Sequence, residues 1–141
     1  MKLPIYLDYN ASTPIALEVV EAMRPFWEKH FGNPSSSHAY GAQPRAAVER
    51  ARGQVAALLG CQPTEIIFTS GGTESNNHAL RGVAFARASD GNHLVTSQVE
   101  HPAVLEVCHF LEGQGFQVTY LPVEPDGRVS LAAVERAITK K

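Results

Sequence analysis

The chain has 141 residues, 44% of them hydrophobic and 18% charged, with a formal net charge of −2, an ordinary globular make-up with enough apolar material for a core. Its few basic residues are scattered, which argues against a nucleic-acid or anionic-membrane surface. No apolar run approaches the roughly 18 residues that a membrane span needs.

An extended arm over 3–13 opens the chain. A helix is expected over 17–30, with Val20, Met23 and Trp27 on one face and a break at Gly32-Asn33-Pro34. After a turn-rich loop comes a second helix. Pro44 suits its first turn, Ala47, Val55, Leu58 and Leu59 fall along it, and Gly60 stops it. Strands then alternate with helices. Strands are expected over 66–69, 93–97 and 116–121, and helices over 73–88, 102–111 and 131–138, the last capped by Ser130 after an Asp126-Gly127 turn. Such alternation predicts an α/β domain: a parallel sheet with helices on its faces and ligands at the carboxyl ends of its strands.

The segment from Phe68 to Asn77, Phe-Thr-Ser-Gly-Gly-Thr-Glu-Ser-Asn-Asn, has the layout of a phosphate cup. Gly71 and Gly72 carry no Cβ to keep an anion from the backbone N–H groups, Thr73 adds a hydroxyl donor, and the following helix turns its positive end to the same spot. There is no lysine after the glycines, as a P-loop requires, and no third glycine of a dinucleotide fingerprint. On its own, a Ser-Gly-Gly sequence is also a plain turn between strand and helix.

Four segments fall in one order: Tyr6 to Pro14, Phe31 to His38, Phe68 to Asn77, and Val99 to Leu105. Together they resemble the cysteine desulfurases, pyridoxal-phosphate enzymes of the class V aminotransferase group, over nearly the whole chain and over the amino-terminal third or so of such an enzyme. The resemblance implies part of the large domain of the pyridoxal-phosphate-dependent transferase fold, three-layer α/β/α with a mainly parallel sheet, here truncated. It divides the chain into an arm, residues 1–15, which in the family packs near the carboxy-terminal domain, and an incomplete cofactor-binding domain, residues 16–141. It also implies that Gly72 and Thr73 hold the phosphate of pyridoxal 5'-phosphate. His101 matches the histidine that stacks on the pyridine ring; an imidazole there can move protons near neutral pH. By itself, His101 beside Pro102 also reads as an ordinary helix-start residue. The Asn33 to His38 loop is either a segment near the active-site mouth and dimer contact, as in relatives, or a solvated connection; Asn10 is a weaker candidate near the substrate carboxylate.

The activity implied is conversion of L-cysteine to L-alanine with a persulfide left on the enzyme, for iron–sulfur cluster or thio-cofactor assembly. Implied partners are L-cysteine or L-selenocysteine, a second copy of the chain and a sulfur-acceptor scaffold, with no nucleic acid and no membrane. Selenocysteine lyases share these motifs, and a non-catalytic anion-binding or dimerising chain, or an unfolded gene remnant, stays open. Of Lys2, Lys29, Lys140 and Lys141, none lies in the Ser-x-His-Lys setting in which the family carries its Schiff-base residue. No Asp-x-x-Gln follows His101 to orient the ring. Cys108, among Val104, Leu105, Val107 and Leu111, reads as a buried structural thiol, and Cys61 follows a helix end. Two cysteines without a secretory signal give no disulfide framework and suggest a reducing cytoplasm. The resemblance also places the first strand far from the next two, so 66–69 is expected to lack its usual neighbours.

Overall fold

The order of helix-favouring and strand-favouring segments is realised as five α-helices and two β-strands in the computed structural model, which describes residues 4–139. They fall into two units, residues 1–67 and 68–141.

The first unit holds α1, Leu17–Glu28, and α2, Ala39–Leu59. α1 ends two residues earlier than expected because Lys29 and His30 both turn their N–H groups onto the Pro25 carbonyl, at 2.9 and 2.8 Å. Met23 and Trp27 form its expected apolar face yet remain 40% and 60% exposed, so among the described residues that face is uncovered. α2 starts earlier than expected. The Gly41 N–H donates to the His38 carbonyl at 3.0 Å, which places Pro44 in the second turn, where it has no N–H to give the Tyr40 carbonyl. At its other end α2 stops at Gly60, in left-handed backbone (φ 69°).

The loop before α2 is largely exposed and is held by local hydrogen bonds. Asn33 accepts the Ser35 N–H through Oδ1 at 2.8 Å, and Arg45 donates to the Pro34 carbonyl at 2.9 Å and to the Ser36 carbonyl. Gly41 is buried against it: a Cβ there would lie 2.4 Å from the Ser36 oxygen and 2.8 Å from that of Asn33.

One expected strand is not formed. Residues 66–69 run extended, Ile66 at φ −92° and ψ 124° after a 3₁₀ turn at Pro63–Glu65, but take no part in the sheet. β-branched and aromatic composition favours extended backbone, whereas a strand needs a neighbour to bond.

The second unit is a β–α–β arrangement with a helix before and after it: α3, Gly72–Ala86; β1, His93–Ser97; α4, Pro102–Gly113; β2, Gln117–Leu121; and α5, Leu131–Ala137. β1 and β2 pair in parallel, from His93 opposite Gln117 to Ser97 opposite Leu121. Ala84 of α3 and Val107 and Leu111 of α4 form the core, with Leu80, Leu94 and Phe116 packed on it; Leu111 is wholly buried. The Asp126-Gly127 turn forms, with the Gly127 N–H on the Glu124 carbonyl at 2.8 Å. Ser130 stands at the start of α5, but its side chain makes no capping bond.

Candidate functional site

Gly71 is extended (φ 161°, ψ −178°) and α3 begins immediately after it at Gly72. The first bond of the helix runs from the Ser75 N–H to the Gly71 carbonyl at 3.0 Å. The N–H groups of Gly72, Thr73 and Glu74 therefore have no acceptor within the helix and point out of its positive end. A Cβ built at Gly71 or Gly72 would meet nothing within 4 Å, so the approach to these donors is open. Behind the turn, the Glu74 carboxylate takes the Ser70 N–H and hydroxyl, both at 2.7 Å, and the Thr69 and Ser75 hydroxyls bond at 2.6 Å. The Ser70 N–H, then its hydroxyl, hold the Glu74 carboxyl below the usual carboxylate range.

His101 lies four residues beyond the carboxyl end of β1, at the N-cap of α4. Its Nδ1 accepts the Ala103 N–H at 3.0 Å. With that lone pair engaged, the hydrogen of the neutral ring belongs on Nε2, the nitrogen left for other partners. Upstream, Ser97 donates to Glu100 at 2.9 Å and steadies the turn from strand to helix.

Thr73 and His101 meet at one cavity of about 390 Å³ between α3 and α4, lined also by Asn77, Arg81, Glu106 and Phe110. Thr73, Asn77 and Arg81 follow at intervals of four along one face of α3. Asn77 donates to the Thr73 carbonyl at 3.0 Å. The Arg81 guanidinium sits 4.3 Å from the centre of the Phe110 ring, a cation–π contact that places a positive charge on the same wall. Backbone donors, a hydroxyl and a cation suit a phosphate, and a flat imidazole suits an aromatic ring beside it, so the residues present fit pyridoxal phosphate in part. Among the described residues no lysine lines the cavity.

Larger hollows exist, of about 650 Å³ along α1 and α2 and about 440 Å³ beside Leu80, Leu94 and Phe116. The second is lined also by Arg87, Asp90 and His93, and a further hollow of about 410 Å³ along α3 is lined by Glu74, Asn77, His78 and Arg81. Asn10 and the Asn33 to His38 loop belong to the first unit. Among the described residues no group of His, Cys, Asp and Glu is placed to hold a metal, and no helix is long and apolar enough to cross a membrane. Cys108 is 1% exposed, its thiol pushed up by burial and then by the charges of Glu112 and Glu100; this is the buried thiol expected. Lys2, Lys140 and Lys141 lie outside the described residues.

The family profile described as Aminotransferase class-V matches residues 5–141. The chain belongs to the class-V aminotransferases. Among members of this family, it is 55% identical over 140 residues to a cysteine desulfurase IscS of Dictyoglomus turgidum (strain DSM 6724 / Z-1310), covering 99% of the chain and 36% of that protein. It is 53% identical to the Homo sapiens cysteine desulfurase, with 96% and 30% covered. Among solved structures it superposes on a NifS-like protein with a TM-score of 0.88 at 39% identity, over 96% of the chain and 37% of that structure. A second superposition, on SspA in complex with cysteine, has a TM-score of 0.85 at 46% identity and covers 95% and 39%. The chain thus spans about a third of the length of the relatives it matches. Its fold is the corresponding part of their α/β large domain, as expected from the motifs.

Asn77 falls within the Phe68 to Asn77 segment, whereas Arg81 lies outside all four segments. Helical spacing was the available signal: Arg81 stands eight residues after Thr73 and so shares its face of α3.

Proposed function

We propose that the chain is the amino-terminal part of a pyridoxal-phosphate-dependent cysteine desulfurase, acting on L-cysteine to give L-alanine and an enzyme persulfide. The observation that carries this reading is the meeting of Thr73 and His101 at one cavity, at the open end of α3 and beyond the carboxyl end of β1. Relatives named cysteine desulfurase, and a neighbour solved with cysteine, support the substrate.

In this proposal the N–H groups of Gly72 and Thr73 and the Thr73 hydroxyl hold the cofactor phosphate, aided by the α3 dipole. His101 lies against the pyridine ring and exchanges protons through Nε2 while Nδ1 stays on the Ala103 N–H. When bound, the cofactor supplies the electron sink for bond cleavage in the amino acid. Neither Cys61 nor Cys108 is assigned the sulfur, which is left to a thiol in the remaining two-thirds of such an enzyme, as is the cofactor lysine. A homodimer, a sulfur-acceptor scaffold for iron–sulfur or thio-cofactor assembly, and the division into an arm over 1–15 and a cofactor domain over 16–141 belong to the same reading. The free thiols of Cys61 and Cys108 support a reducing cytoplasmic home.

The test is a chimaera in which residues 5–139 replace the matching segment of the Dictyoglomus turgidum enzyme. Thr73→Ala in this chimaera is expected to weaken pyridoxal phosphate by about one to two decades, the worth of a hydrogen bond to a charged group at roughly 1.5–3 kcal/mol. Equilibrium titration measures this, and an unchanged dissociation constant removes Thr73 from the phosphate site.

A further inference from the structure

A Cβ at either of the paired glycines of the turn would meet open space, so no side chain packs against them there. Glycine has the greatest backbone freedom to lose, so a Gly-Gly turn that must present N–H groups in one direction needs a restraint from outside itself. The residues on either side supply it. Glu74 reaches back from the first turn of α3 to take both the N–H and the hydroxyl of Ser70 on a single oxygen, Oε2. Ser75 reaches back to the Thr69 hydroxyl, which also donates to the Gly71 carbonyl at 3.2 Å. The strand-side and helix-side ends of the turn are thereby tied together across the glycines.

A carboxylate is a poor neighbour for a phosphate. Its negative charge opposes an anion at the end of α3, and the two hydrogen bonds it accepts favour that charged form. A residue that served the anion through charge would not be acidic here.

We propose that Glu74 is a positioning residue for the phosphate-binding turn, acting through Ser70 to hold the Gly72 and Thr73 N–H groups in the direction of the ligand. The proposal rests on the cofactor reading above and adds a residue whose carboxylate is engaged by Ser70. Restraint and repulsion act in opposite senses, so replacing Glu74 reveals which prevails. As a restraint, its loss frees the glycines and weakens phosphate binding; as a repelling charge, its loss strengthens it.

The experiment uses the chimaera described above and two probes, pyridoxal phosphate and pyridoxal, which lacks the phosphate. Glu74→Gln keeps the shape of the side chain and removes its charge; Glu74→Ala removes both. Each is expected to weaken pyridoxal phosphate about tenfold, the order of one charge-assisted bond, and to leave pyridoxal within about twofold. Ser70→Ala, a milder change that leaves the carboxylate in place, is expected to weaken pyridoxal phosphate roughly threefold, about half the effect on a free-energy scale. Binding of pyridoxal phosphate as tight as in the parent, or tighter, in both Glu74 variants overturns the proposal. So does an equal loss for both probes with a lowered melting temperature, which marks a purely structural role. Thr73→Ala serves as the reference. If it leaves the preference for pyridoxal phosphate over pyridoxal intact, the cofactor reading itself fails; if it lowers that preference while the Glu74 variants do not, the positioning role alone falls.

Discussion

His101 is asked to do two things with one ring. Its Nδ1 caps α4 through the Ala103 N–H, and the residue lines the cavity shared with Thr73. These tasks separate under substitution. Asparagine retains a short side-chain acceptor of the kind favoured at an N-cap, whereas alanine retains none. In the chimaera, His101→Asn is expected to keep the melting temperature close to the parent and to lower turnover per bound cofactor by roughly 10²–10⁴-fold, the usual worth of a positioned acid–base group. His101→Ala should lose the same activity and a further 0.5–2 kcal/mol or so of stability. Turnover within about threefold of the parent in the asparagine variant sinks the catalytic role. The two readings of His101 open in the sequence, ring partner and helix opener, are thus compatible. Residue order makes both available, but only the rotamer shows which nitrogen serves the cap. Arg81 was hidden for a related reason: its placement depends on how α3 turns against Phe110, a packing fact that no local motif contains.

At the scale of elements, the alternation of apolar and turn residues makes α3, β1, α4 and β2 legible to within a few residues, because each carries its own periodicity and its own stop signal. Residues 66–69 carry the composition of a strand but stay outside the β1–β2 sheet, a pairing that composition alone does not decide. The start of α2 was obscured for the opposite reason. Arg45 and Gly41 fix it through the carbonyls of Pro34, Ser36 and Asn33, contacts made by residues whose spacing suggests nothing in particular. Gly41→Ala puts this to a test. With two backbone oxygens closer than 3.0 Å to the new Cβ, the loop must be displaced, and a loss of about 1–3 kcal/mol is expected in denaturant unfolding followed by circular dichroism. A change below about 0.5 kcal/mol would mean that the loop yields freely and is no part of the helix start.

At the scale of the whole molecule, much of the apolar surface remains uncovered: Trp27 is 60% exposed, Leu58 85% and Val83 64%. The chain spans 36% of a relative's length, and α1 has an apolar face without a buried residue. The cysteines give the two units separate histories in time. Cys61 is partly exposed in the first unit and Cys108 is sealed beside Leu111 in the second. A thiol reagent in excess should therefore modify Cys61 promptly and Cys108 only as often as the second unit opens. Leu111→Ala, at a cost of about 2–5 kcal/mol, should quicken labelling of Cys108 by more than tenfold and leave that of Cys61 within about twofold, read by mass spectrometry of the two peptides. Equal acceleration at both sites would show that the units open as one. A thiol too well buried to carry sulfur thus becomes a clock for its half of the chain, started by the reagent and stopped by acid.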